Sequence, residues 1–153
     1  MGKRKLIYLD DVTLTYLSGA KQCLGPRSLI RALESLRVAV LSGQVTLASS
    51  FVHVAALKMY KHRGRRARMR SVLVLATVRV KNLKNVAAMA AQILKTGLAP
   101  KDSLHVACAR RLGALLLTTD KEMLHLARRH PALFGQVQKP QVWARTIHGN
   151  EEE

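Results

Sequence analysis

The sequence holds 153 residues, 48% of them hydrophobic, with 26 Lys and Arg against 9 Asp and Glu. That is enough chain for one hydrophobic core and too little for two ordinary domains, and the apolar share excludes a disordered polymer. No apolar run reaches the ~20 residues of a membrane-spanning helix, and the basic start at residues 1–5 leads into only four apolar residues, so the expectation is a soluble, cytoplasmic protein with no membrane partner.

In chain order, residues 6–9 are a short apolar run ending at Asp10 and Asp11, which predicts a buried strand. Leu29, Ile30, Leu33, Leu36, Val40 and Leu41 recur at helical spacing and stop at Gly43. Residues 45–48 predict a second strand. It runs into a helix at 51–59, continued by the basic segment 61–70. Residues 72–80 suit a helix end followed by a strand, with the strand at the C-terminal part. A helical stripe over 86–94 closes at Gly97, and Pro100 opens a helix that closes at Gly113. Then come a strand at 114–118, a helix at 123–130 ended by Pro131, and a last short strand at 136–138. Strands separated by helices of this length predict an α/β fold, a central parallel sheet of four to five strands covered on both faces. The domain is expected over residues 1–147, with an acidic tail at 148–153.

The net charge is +17, and its distribution says more than its size. Three of the nine acids are Glu151, Glu152 and Glu153, and no acid occurs between Glu34 and Asp102. A surface of one sign repels itself and attracts phosphate, so a polyanionic partner is expected, nucleic acid before an anionic membrane. Lys58, Lys61, Arg63, Arg65, Arg66, Arg68 and Arg70 concentrate in one segment and are the candidate RNA-backbone contacts. With aromatics at 4%, an aromatic stacking platform is not expected. Cys23 and Cys108 lack metal-ligand spacing and read as packing residues in a reducing compartment. The six histidines are scattered, without zinc-site spacing, and His105 reads as a packing or supporting residue.

The remaining acids fall at element ends. Asp10 follows the first predicted strand, Asp120 follows the 114–118 strand, and Asp102 lies in the first turn after Pro100. Ligands of a doubly wound sheet bind outside the carboxyl ends of its strands, so these three can converge despite their separation in sequence. Hard oxygen ligands without His or Cys suit magnesium or manganese, which polarises a phosphodiester and activates water. The structural alternative makes Asp102 a helix-dipole charge and Asp120 an N-cap.

The segments Leu6-Ile7-Tyr8-Leu9-Asp10, Lys101-Asp102-Ser103-Leu104-His105-Val106-Ala107 and Leu117-Thr118-Thr119-Asp120 resemble the three motif blocks of PIN-domain nucleases, in the same order and at similar spacing. The resemblance implies an α/β/α sandwich and a Mg2+- or Mn2+-dependent ribonuclease site in which Asp10, Asp102 and Asp120 match the metal-binding acids. Glu122 lies where several members carry a further acid. It also implies relatives that are toxins of toxin–antitoxin pairs, with an antitoxin partner and a homodimer as expectations. Two positions depart from the pattern. The family's second acid aligns with Ala56, or with the neighbouring Ala55, and its polar residue after the first Asp is Val12, beside Asp11. Two functions follow: a metal-dependent endoribonuclease working with three acids, or a catalytically weakened or inactive domain acting as a basic RNA-binding or ribonucleoprotein component.

Overall fold

The computed structural model describes residues 5–148. Five parallel strands, β1 (Lys5–Leu9), β2 (Val45–Ser50), β3 (Val78–Val80), β4 (Leu115–Leu117) and β5 (Val137–Gln138), form one sheet in the order β3-β2-β1-β4-β5. The central strand is β1, with Ile7 opposite Leu47 on one side and Leu115 on the other. The order reverses there, so the crevice of the fold opens beyond the carboxyl ends of β1 and β4.

Alternation along the strands divides the core. Ile7, Leu9, Leu47, Leu115 and Leu117 face a layer containing α1 (Asp11–Ser18), α2 (Arg27–Leu41), α4 (Arg63–Leu73) and α9 (Pro140–His148). Tyr8, Ala48 and Leu116 face the layer of α5 (Ala87–Leu94), α6 (Pro100–Leu112), α7 (Lys121–Arg129) and the single turn α8 (Pro131–Phe134). Both faces of the sheet centre are covered, which is why β1 and β4 read as apolar runs. Fully buried side chains such as Leu36, Ile93 and Trp143 each contribute roughly 1.5–3 kcal/mol by leaving water.

The predicted strands and the helices from 27 onward appear where periodicity put them, with one break. The segment at 61–70 does not continue α3 (Phe51–Met59). The chain turns through Tyr60 and Lys61, and α4 restarts on His62, whose Nδ1 accepts the Arg65 N–H at 3.1 Å. Gly113 closes α6 at φ +65°, a conformation that favours glycine, and so turns the chain directly into β4. The sequence reading has no counterpart for α1, and α9 carries the chain through His148. That residue therefore belongs to a helix, where its Nε2 lies 2.9 Å from the Ser35 hydroxyl, rather than to the expected tail. The rest of that tail, residues 149–153, lies outside the described residues.

Candidate active site

Two of the sequence-predicted acids, Asp10 and Asp120, are held by the helix that follows them. Asp10 is buried at the N-terminus of α1, where Oδ1 accepts the Thr13 N–H at 2.9 Å and Oδ2 accepts the Thr118 hydroxyl at 2.5 Å. The Thr118 hydroxyl in turn accepts the Asp120 N–H at 3.0 Å, so one buried side chain ties the ends of β1 and β4 together. Asp120 caps α7 with Oδ1, which takes the N–H groups of Glu122 and Met123 at 2.8 and 3.2 Å. Its Oδ2 is left uncommitted among the described residues.

Asp102, half-buried in the first turn of α6, completes the group. No hydrogen-bond donor or cation touches its carboxyl among the described residues. Burial and then the negative charge of Asp120 push its pKa up, Asp10 and Asp11 add less, and an opposing pull from His105, larger than either of those two, does not cancel the rise. The three acids separated by 110 positions thus meet, beyond the carboxyl ends of β1 and β4, and one of them is electrostatically uncomfortable there. Asp10 and Asp120 both serve as N-caps, and of their four carboxylate oxygens only Asp120 Oδ2 has no hydrogen-bond partner among the described residues. Glu122 is exposed on the first turn of α7, at the rim.

A second polar group lies beside the first. Asp11 Oδ2 sits 2.5 Å from Lys101 Nζ and 3.2 Å from His105 Nε2. Burial raises the Asp11 pKa, but the hydrogen bond and charge of His105 and those of Lys101 outweigh it and bring the carboxyl down to about 2. His105 Nδ1 lies 2.6 Å from the Tyr8 hydroxyl, which lies 2.7 Å from Ser50 Oγ. His53 stacks against both rings, at centroid distances of 4.7 Å from Tyr8 and 5.0 Å from His105. Ligand atoms of Asp11, His53 and His105 fall within 4.8 Å of one another. His53, however, commits both nitrogens: Nδ1 accepts the Ser50 N–H at 3.1 Å and Nε2 donates to the Leu9 carbonyl at 2.6 Å. Burial, then the charge of His105, hold it neutral with a pKa of about 3. The cluster is a hydrogen-bonded strut that positions Asp11 and the end of β1, because His53 has no nitrogen to offer an ion without breaking those bonds.

A model of the PIN domain matches residues 25–129. The chain belongs to the PIN domain family. The crystal structure of FitAcB from Neisseria gonorrhoeae is similar over 88% of this chain and 97% of that one, with a TM-score of 0.56 and 18% sequence identity, a likeness of fold. No curated protein matches the sequence significantly.

Within this PIN domain the two departures become geometry. Ala56 is buried and lines a recess of about 500 Å³ together with Asp11, Val12 and Lys101, whereas Ala55 is exposed. Of the two alignments for the second acid, Ala56 is the one that lines this recess, beside Asp11. Val12 is half-exposed at the mouth of the recess. The candidate RNA contacts Lys58, Lys61, Arg63, Arg65, Arg68 and Arg70 are exposed on α3, the turn and α4, and Arg66 is half-buried. Arg68 donates to the Gly19 carbonyl at 2.9 Å, which pins α4 against α1.

Sequence reasoning missed Thr118 as the link between Asp10 and Asp120, Lys101 as the cation on Asp11, and His53 altogether. His53 had a signal: Ser50 and His53 have capping-box spacing, with His where Glu or Gln is usual. Thr118 and Lys101 had none, because their partners lie 108 and 90 positions away. Cys108 is buried as expected, while Cys23 is only partly so. Among the described residues no helix is long and apolar enough to cross a membrane.

Proposed function

We propose that this PIN domain is a metal-dependent endoribonuclease, with Asp10, Asp102 and Asp120 as its working carboxylates. The observation that carries the reading is the state of Asp102. In a chain with 26 Lys and Arg, this buried-side carboxyl faces Asp120, Asp10 and Asp11 and no cation of its own. A set of hard oxygen donors under mutual repulsion fits a Mg2+ or Mn2+ ion, which takes one or two carboxylates, waters and phosphate oxygens. Held there, such an ion would supply Lewis-acid polarisation of the phosphodiester and a lower pKa for an attacking water. The chain itself contributes the frame. Thr118 fixes the spacing of Asp10 and Asp120, the α7 cap orients Asp120, Lys101 neutralises Asp11, and the cations of α4 hold the RNA backbone. Glu122 adds negative charge at the rim.

The test is cleavage of a mixed-sequence single-stranded RNA in manganese. Wild type is expected to cut, and Asp102→Asn is expected to retain RNA without cutting it. Unchanged cleavage by Asp102→Asn would refute the assignment.

Ala56 favours a second reading, in which turnover has been lost and the domain binds RNA within a ribonucleoprotein. In that case wild type binds RNA in manganese without cutting it, and Ala56→Glu restores cleavage. A toxin role, an antitoxin partner, self-association and a cytoplasmic setting rest on the family likeness and on composition alone.

A further inference from the structure

The recess in front of Ala56 is not explained by the three working aspartates. It is walled by Lys101 from α6, by Tyr60, Lys61 and His62 from the turn between α3 and α4, and by Arg65 from the first turn of α4, and Met59 stands at its edge. Three cations, the Asp11 carboxylate that one of them neutralises, a phenol ring, an imidazole and a thioether therefore line one recess of about 500 Å³, within the range of small-ligand pockets. Its walls are organised. The Tyr60 hydroxyl lies 3.3 Å from that of Thr15, and Lys101 is held at Asp11. The His62 ring is set over the start of α4 by the Arg65 N–H, in space that Gly64 leaves open: a Cβ there would stand 3.1 Å from the ring.

We infer that this recess seats one unstacked nucleotide of single-stranded RNA next to the phosphodiester that the aspartates address. The inference rests on the ribonuclease reading for the identity of the nucleic acid. The mixture of wall residues is what a nucleotide requires. Its phosphate meets Lys61 and Arg65, the wall cations without a carboxylate partner among the described residues, and its base packs on the part of the Tyr60 ring that lines the recess, with the Met59 sulfur beside it. A duplex presents no free base to such a cavity, so the recess selects single strands, while the exposed arginines of α4 bind either form through phosphates. The 4% aromatic content argued against a stacking platform, but one ring in the right cavity is enough for one base.

The experiment is fluorescence anisotropy with a labelled 12-nucleotide single strand and a duplex of the same sequence, in EDTA so that cleavage does not intervene. Tyr60→Leu is expected to weaken single-strand binding ~10-fold, the order expected of one lost base–aromatic stack, and to leave duplex binding unchanged. Tyr60→Phe, which keeps the ring, is expected to bind like wild type. Met59→Glu is the second variant: its side chain is 80% exposed, so the fold does not depend on it, and the added carboxylate should produce the same single-strand-selective loss. Equal single-strand binding by wild type, Tyr60→Leu and Met59→Glu would overturn the inference, as would equal losses on both RNAs for Met59→Glu. The two readings separate cleanly. Tyr60-dependent single-strand binding in a protein that never cuts RNA retains the recess and removes the nuclease; manganese-dependent cutting with a neutral Tyr60→Leu does the reverse.

Discussion

The two halves of the crevice solve opposite electrostatic problems. At the β1–β4 half, Asp10, Asp102 and Asp120 are brought together with hydrogen-bond donors for two of them and no cation for the third. At the β1–α3 half, Asp11 is neutralised internally by Lys101 and His105, Ala56 replaces an acid, and the surroundings turn basic. The same fold thus keeps one half short of positive charge and the other rich in it. Charge scarcity marks a place for an ion, and charge surplus marks a place for phosphate.

The strut between the two halves is the most sensitive place to break the comparison. His53 is neutral in the fold with a pKa of about 3 against 6.5 when unfolded. In that interval the unfolded chain binds the extra proton, so the stabilisation is complete above pH 6.5 and is lost as pH falls towards 3. The span corresponds to on the order of 5 kcal/mol. Urea unfolding from pH 7 to pH 4 should show a steep loss of stability that flattens in His53→Gln. A parallel pH dependence in wild type and variant would remove His53 from the account. Asp11 titrates in the same sense lower down, its contribution being present above about 3.8 and lost as pH falls through about 2.

Cutting the link in the acidic half comes next. Thr118→Val leaves Asp10 Oδ2 without its donor and the Asp120 N–H without its acceptor in a buried place, a cost of about 1–3 kcal/mol. For a domain of this size that lowers Tm by roughly 2–4 °C per kcal/mol, and calorimetry measures it directly. RNA affinity in EDTA should not change, because the basic half is untouched.

How far the sequence disclosed all this depended on whether a role was local. Apolar runs disclosed the central strands β1, β2 and β4, which are largely buried, whereas β3, with exposed Arg79, showed only as the end of a longer apolar run and β5 is two half-buried residues. Periodicity did not disclose α1: Val12, Thr13 and Thr15 are β-branched, and Asp10, the residue that starts the helix, was read for its chemistry alone. Nor did it disclose α9, whose signal is a single turn of Val142, Trp143 and Ile147 behind Pro140. The site acids were legible because acids are so rare in this chain. Thr118, Lys101 and His53 were not, because common residue types acquire their roles only when distant strands and helices meet.

Making the two halves alike sharpens the comparison further. Ala56→Glu adds a carboxylate to the wall that holds Lys101, and manganese affinity should rise by at least the roughly 10-fold that a supporting group is worth at a metal site. Isothermal calorimetry reads the change, and an unaltered affinity would mean that this wall does not belong to the ion's surroundings. The smallest effect concerns the basic surface. Arg63→Gln, exposed on α4, should weaken RNA binding evenly across sequences and reduce the slope of log K against log salt by about 1. A slope that stays the same would take this residue off the phosphate path.

The central claim is that three aspartates, without the fourth acid, still form a cation site. It is tested most directly by melting wild type and Asp102→Asn with and without manganese. Without metal, Asp102→Asn should melt at or above wild type, because it removes a charge that burial and three neighbouring carboxylates disfavour. Manganese should then raise the Tm of wild type and leave that of Asp102→Asn where it was. Equal manganese shifts in both proteins, or none in either, would contradict the account.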